Sequence, residues 1–285
     1  NTKVRGRKDL EDLSIPFIGE IPQYFSKERK LGFKRKKQSY MKTIVVKEGS
    51  RDIINEAFRV LRSNMDFMAG KDKGQNVFVL TSFNPGSGKS FLTMNIAMSF
   101  AIKKKRILVI DGDLRHGSVS SYVDSPRIGL SDYLGNRVEN WKEIIVADKK
   151  YDNLHILPIG TVPPNPTELL EDGKLATLIG ALRGEYDYIF IDCPPIDIVA
   201  DAQIIEKLAD RTIFVVRSGL LDRGMLPELE NIYQEKRFRN LSVILNGTES
   251  AGGRYSYRYG YRYGYRYGYH NGYSSYYGSK GEMGG

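Results

Sequence analysis

Between residues 77 and 245 the chain alternates short runs of consecutive apolar residues with segments long enough to be helices. The runs at Val77–Thr81, Ile107–Ile110, Leu154–Leu157, Tyr188–Ile191, Thr212–Val216 and Ser242–Leu245 predict strands. Helices are predicted between them at Ser90–Lys103, Glu168–Arg183, Asp201–Ala209 and Met225–Lys236. Strands apolar on both faces and separated by helices form parallel sheets covered on both sides, so the expected fold is α/β, a doubly wound and mostly parallel sheet. Such sheets bind ligands at the carboxyl ends of their strands.

The flanks are patterned differently. From Asp52, apolar positions at Ile54, Phe58, Leu61, Met65 and Met68 recur at helical spacing and predict one amphipathic helix. Glu56, Arg59 and Arg62 fall off that stripe, on the adjoining polar surface. Before it, residues 1–49 read as a linker-like arm, because Pro16, Pro22 and several glycines interrupt any period. After Gly247, residues 254–277 hold 11 tyrosines in a near repeat of Arg-Tyr-Gly-Tyr without aliphatic residues. Such a tail buries too little apolar surface to offset the entropy of ordering, and mobility is expected of it. The chain therefore divides into an arm (1–49), one domain (50–249) and a tail (250–285).

Composition changes this picture little; charge changes it more. At 41% hydrophobic and 27% charged, the 285 residues are an ordinary globular mixture, not a collagen-like, wholly disordered or membrane-embedded chain. The longest apolar stretch, Met94–Ile102, falls well short of the ~20 residues that span a bilayer. The start, Asn-Thr-Lys, carries no apolar signal segment and suggests a fragment of a longer protein. The single cysteine, Cys193, fits a reducing, intracellular setting. The net charge of +9 is concentrated in the arm, with its Lys34-Arg35-Lys36-Lys37 run, and in the tail, leaving the domain near neutral. That distribution is unlike a nucleic-acid-binding domain, and no nucleic-acid partner is expected. The basic run reads either as a solvated cluster or as attraction to an anionic lipid surface.

The candidate chemistry lies at three strand ends. Asn84-Pro85-Gly86-Ser87-Gly88-Lys89-Ser90 follows a strand and opens a helix, as a phosphate-binding P-loop requires. In such a loop the backbone N–H groups can close around phosphate oxygens, Lys89 can reach the outer phosphates and the Ser90 hydroxyl can ligate Mg²⁺. The full pattern has glycine where this chain has Phe83. Pro85, Gly86, Ser87, Gly88, Lys89, Ser90 and the following Phe91 are the nucleotide-binding candidates. Two further strands run into acids, at Asp111-Gly112-Asp113-Leu114-Arg115 and at Asp192-Cys193-Pro194-Pro195. One such acid is ordinarily a turn or cap residue; three strand ends converging on one sheet edge point to a nucleotide and its metal.

These motifs resemble the Walker A, A′ and B set of the bacterial tyrosine kinases, the cytoplasmic domains of Wzc-like polysaccharide co-polymerases. Glu56-x-x-Arg59-x-x-Arg62 is similar to that family's subunit-contact motif, and the tyrosine-rich tail to its autophosphorylated C-terminus. The segment from Asp9 to Pro22 resembles the stretch just inside the second membrane helix of those proteins, and the altered P-loop is usual in this deviant Walker class. The resemblance covers nearly the whole chain. It implies ATP and Mg²⁺ as cofactors and Asn246 as the adenine-reading residue. It also implies a ring, in the family an octamer, on the cytoplasmic face of a bacterial inner membrane. The other implied partners are the protein's own transmembrane and periplasmic segments, a tyrosine phosphatase and the capsule or exopolysaccharide export machinery.

The expected reaction follows from the chemistry. A phenol titrates near pH 10 and needs a proton acceptor to attack phosphorus at neutral pH. Asp111 is the candidate base, Asp113 the support for Mg²⁺, and Asp192 the acid that orients the metal; the roles of Asp111 and Asp113 can be exchanged. Arg115 stabilises transferred charge, contacts a neighbour, or is a surface arginine. The acceptors are Tyr255, Tyr257, Tyr259, Tyr261, Tyr263, Tyr265, Tyr267, Tyr269, Tyr273, Tyr276 and Tyr277, attacked in trans within the ring. Two other readings compete. A partition or cell-division ATPase would carry a lysine at position 84, where this chain has Asn84. A non-catalytic assembly module would use the tail only to bind, RNA being one possible ligand of its alternating Arg and Tyr.

Overall fold

A computed structural model of the chain describes residues 2–24, 43–70, 74–196 and 200–249. Eight strands run through it: β1 (Phe17–Pro22), β2 (Val77–Thr81), β3 (Ile107–Asp111), β4 (Val146–Ala147), β5 (Leu154–Leu157), β6 (Tyr188–Asp192), β7 (Arg211–Arg217) and β8 (Ser242–Thr248). The helices are α1 (Ile53–Gly70), α2 (Lys89–Ala101), α3 (Leu130–Leu134), α4 (Pro166–Glu171), α5 (Lys174–Leu182), α6 (Asp201–Glu206) and α7 (Leu226–Gln234), with short 3₁₀ turns between. The strands form one sheet in the order β1-β8-β7-β2-β6-β3-β5-β4. All neighbours pair in parallel except β4, which runs antiparallel to β5 at the edge.

The period of two along each strand separates the cores. Phe78, Leu80, Ile107, Val109 and Phe190 join one cluster with the buried faces of α1 and α2. Val77, Val79, Leu108, Ile110, Ile189 and Ile191 join another beneath α3 to α6. A third cluster, with Phe214, Val216, Val243 and Leu245, lies under α7 and the N-terminal segment. On α1 the expected stripe is the buried one: Phe58, Leu61 and Met65 are sealed, and Ile54 and Met68 pack beside them.

Three elements differ from the sequence reading. The stretch read as linker-like contains a sheet strand, since Phe17–Pro22 pairs in parallel with β8, Phe17 opposite Val243. Pro16 and Pro22 lie at the ends of this edge strand, where a missing N–H costs the ladder least. The single helix expected over 168–183 is two, α4 and α5, because Gly173 sits at φ 82°, a left-handed backbone that no α-helix carries through. The short edge strand β4 has no counterpart in the sequence pattern, because two residues leave no period to read. The Lys34–Lys37 run and the tail tyrosines lie outside the described residues.

Candidate active site

The parallel sheet brings the three motifs to one edge. β2 ends at Thr81, and the loop 82–88 turns back into the first residue of α2, Lys89. The loop closes on itself: the Ser82 and Ser87 hydroxyls both donate to the Asn84 carbonyl, at 2.8 and 2.7 Å. Lys89 is buried and its Nζ donates to Ser82 Oγ at 3.1 Å, so the ammonium points back over the loop. Burial lowers its pKa, and the carboxylates of Asp192 and Asp113 oppose that. Gly88 has φ 89°, and a Cβ there would lie 2.2 Å from Asn246 Nδ2, so both backbone and space require glycine. Phe83 replaces the usual glycine because it is a core residue: it is buried and its ring meets Phe214 edge-on, centroids 4.8 Å apart.

Asp192 ends β6 directly beside the loop. Its Oδ2 accepts from Ser90 Oγ at 2.5 Å and its Oδ1 lies 3.5 Å from the Thr93 hydroxyl. Asp111 ends β3 in register with Asp192 on the neighbouring strand. Ser120 holds it, backbone N–H and hydroxyl both donating to Oδ2, at 2.6 and 2.7 Å. Asp111 Oδ1 is buried and makes no hydrogen bond among the described residues. Burial, then the charge of Asp192, pushes the Asp111 carboxyl up to about 7. Burial likewise raises Asp192 to about 6 against the pull of Lys89. Two carboxyls poised near neutrality at one strand edge suit proton transfer and hard-cation binding.

The remaining candidates divide. Asp113 is half-buried and accepts from the backbone N–H groups of Arg115 and His116, each at 3.2 Å. Arg115 leads away from the loop: its Nε donates to the buried Asp201 at 3.0 Å and an Nη to Thr167 at 3.2 Å. Asn246 is buried at the end of β8 and donates to the Ser87 carbonyl at 2.9 Å, bracing the P-loop from below. Pro85 and Gly86 are exposed at the crest of the loop. Phe91 turns its ring toward Phe58, centroids 6.2 Å apart, and so offers the site only its backbone. Cys193 is sealed beneath Asp192, its thiol pKa pushed up by burial. On α1, Arg59 pairs with Glu56 and with the Ser50 carbonyl, and Arg62 donates to the Ser99 carbonyl at 2.9 Å.

Sequence spacing missed Ser120, Thr93, Ser82, Thr167 and Asp201. Ser120 follows Asp111 by nine residues, and nothing local marks a serine in a loop as the partner of a buried acid. Thr93 is the one with a signal, lying on the same helical face as Ser90, three residues on.

A magnesium ion bound by a nucleotide enzyme takes one or two carboxylates, a hydroxyl and phosphate oxygens rather than a cage of protein ligands. Among the described residues no group of three or more His, Cys, Asp or Glu is placed to hold a metal alone. The Ser90 hydroxyl against Asp192, with the orphan Asp111 oxygen on the adjacent strand, has the oxygen chemistry such an ion needs, so the residues fit.

A P-loop at the helix N-terminus, flanked by acids at two strand ends, defines a P-loop nucleotide-binding protein. The AAA domain family matches residues 75–237. Tyrosine-protein kinase YwqD of Bacillus subtilis is 30% identical over 218 residues, 76% of this chain and 91% of that protein. Tyrosine-protein kinase CpsD of Streptococcus agalactiae is 31% identical over 202 residues, 70% of this chain and 85% of that one. The kinase domain of the Escherichia coli tyrosine kinase ETK superposes with a TM-score of 0.74 at 27% identity, covering 88% of this chain and 97% of that domain. The chain belongs to the bacterial tyrosine-protein kinases and is an enzyme of that kind. No helix among the described residues is long and apolar enough to cross a membrane.

Proposed function

We propose that this kinase moves the terminal phosphoryl group of ATP onto the tyrosines of the 255–277 cluster on a neighbouring copy. The observation that carries the reading is the meeting of Lys89, Ser90, Asp111 and Asp192 at one sheet edge, in a chain that also holds 11 tail phenols. The loop N–H groups and Lys89 bind and orient the phosphates. Ser90 and Asp192 would hold Mg²⁺, with Asp111 and Asp113 close by; bound there, the ion neutralises charge on the transferred group. Asp111 accepts the phenol proton while the tyrosine oxygen bonds to the γ-phosphorus and the bond to the ADP oxygen breaks. Asp113, the less buried acid, supports the metal and the turn carrying Arg115.

The ring reading has its own support on α1. Ile53, Val60 and Phe67, spaced by seven, are 45%, 37% and 57% exposed and line one face beside Glu56. We propose that this face, with Glu56, Arg59 and Arg62, joins copies into a ring, an octamer as in the family. Its setting is the cytoplasmic face of a bacterial inner membrane, anchored through the protein's own membrane segments. There its phosphorylation, reversed by a tyrosine phosphatase, regulates capsule or exopolysaccharide synthesis and export. Incubation with γ-labelled ATP and Mg²⁺, followed by peptide mapping, is expected to find phosphate on tail tyrosines and to lose it when Mg²⁺ is chelated. Bound nucleotide without any phosphotyrosine contradicts the reading and leaves a nucleotide-gated assembly module.

A further inference from the structure

A cleft of about 290 Å³ opens between α1, the C-terminal end of α2 and the segment 46–49, away from the P-loop edge. Its lining mixes apolar side chains, the buried Val46 and Phe58 and the half-buried Ile102, with the buried polar side chains of Asn55 and Ser99. Its rim carries four cations, Lys47, Arg59, Arg62 and Lys103, against a single lining acid, Glu48. The wall is preformed: Asn95 Oδ1 accepts the Val45 and Val46 N–H groups at 2.7 and 3.2 Å, and Asn55 Oδ1 accepts that of Lys47 at 2.8 Å.

The two arginines lie close together and are only partly neutralised. Arg62 uses one N–H on the Ser99 carbonyl, and a guanidinium has five. Burial first, and then the Arg59 charge, holds Arg62 below its ordinary pKa, while Asp66 offsets this in part. Arg59 also donates to the Ser50 carbonyl, and its pair with Glu56 on its own helix is an exposed one that a doubly charged anion can displace. Planar guanidinium forks favour phosphate oxygens, and the apolar edge offered by Ile102 beside the cationic rim suits the ring of an aryl phosphate.

We propose that this cleft is an aryl-phosphate site that takes a phosphotyrosine from the tail of a second copy. The proposal rests on the reading of the tail as acceptor and adds a place where the product is recognised. Because it uses Arg59 and Arg62, which the proposed ring contact also uses, phosphotyrosine and neighbouring subunit exclude one another. Phosphorylation then releases subunits by competition at α1.

The test uses the full chain, cleared of phosphate by a phosphatase, and two synthetic labelled peptides of residues 254–269, one phosphorylated at Tyr261 and Tyr265. In fluorescence anisotropy the phosphopeptide is expected to bind at least about tenfold more tightly than the unmodified one. Lys47→Glu with Lys103→Glu removes that preference, with circular dichroism and nucleotide affinity unchanged, since both lysines are exposed and neither bonds to a P-loop residue. Lys103→Gln alone gives a smaller loss. Phenyl phosphate competes at concentrations where inorganic phosphate does not. Equal binding of the two peptides, an undiminished preference in the charge-reversed variant, or equal competition by inorganic phosphate each overturns the proposal. Since the peptide is phosphorylated by synthesis, these outcomes are independent of whether the chain phosphorylates itself.

Discussion

Asp111 is held from one side. Ser120 gives Oδ2 two donors, and the Ile159 N–H in turn donates to the Ser120 hydroxyl at 2.8 Å, so the hydroxyl proton is committed to the carboxylate. That leaves Oδ1 as the oxygen able to take a proton or a metal-bound water. Ser120→Ala keeps the backbone donor but frees the carboxylate to rotate. It is expected to lower kcat for tyrosine phosphorylation about tenfold, a modest part of what a positioned base contributes. Nucleotide affinity should stay within about twofold, because the loop N–H groups and Lys89 are untouched. In an Asp111→Asn background the same change adds no further loss; multiplying losses would mean that Ser120 acts only on the fold.

The raised acids also mark the fold's pH dependence. Unfolded aspartates release their protons near pH 4, whereas Asp111 and Asp192 keep theirs until about 7 and about 6. Over that window the folded state binds more protons than the unfolded one, so this pair costs stability progressively as pH rises from about 4 to about 7. Asp111→Asn removes much of the penalty. Urea denaturation across pH should find the variant more stable than the parent near pH 8, with the gap closing toward about pH 4. A gap that is flat or widens in acid contradicts the burial-driven shift. At this scale the sequence is most readable where chemistry is local: Lys89 and Ser90 follow from the loop, Asp192 and Asp111 from the strands they end. Arg115 is less so, because its partners Asp201 and Thr167 come from helices far along the chain.

Among the elements, the P-loop is the clearest case of a motif departing from its pattern for a packing reason. Restoring the pattern with Phe83→Gly empties a buried site against Phe214 and is expected to cost about 3–5 kcal/mol or more, read by chemical denaturation. A neutral or stabilising result would mean that the ring is not part of the core. The six strands with short apolar runs are legible because burial on both faces leaves few polar interruptions, His155 in β5 being one. β1 was not: Gly19 and Pro22 break its pattern, and its partner β8 lies at the far end of the domain. The pairing of β1 also bears on the site. Residues 2–5 bond to the loop after β7, Gly219 N–H donating to the Val4 carbonyl at 2.8 Å, so the N-terminal segment supports the same sheet edge that carries Asn246.

For the whole molecule, the charge distribution and α1 point to a switch. Each phosphotyrosine brings about −1.5 to −2 charges, so four would carry the tail from its net +4 to below zero. Loss of the tail's positive charge, with the α1 cleft occupied, should shrink the assembly. Light scattering before and after ATP treatment is expected to register a smaller particle, with the change muted at high salt. A particle of unchanged size at every ionic strength removes the switch. Most of this scale was readable only as composition, since the tail has no apolar period to place it.

Transfer between copies is tested most directly by one mixture. A Lys89→Met chain with its tail intact is combined with an active chain cut after residue 249, and ATP and Mg²⁺ are added. Mass spectrometry is expected to find phosphate on the tyrosines of the Lys89→Met tail, at a rate that rises with the concentration of the truncated partner. An unmodified Lys89→Met tail, under conditions in which the intact parent chain labels itself, contradicts transfer in trans.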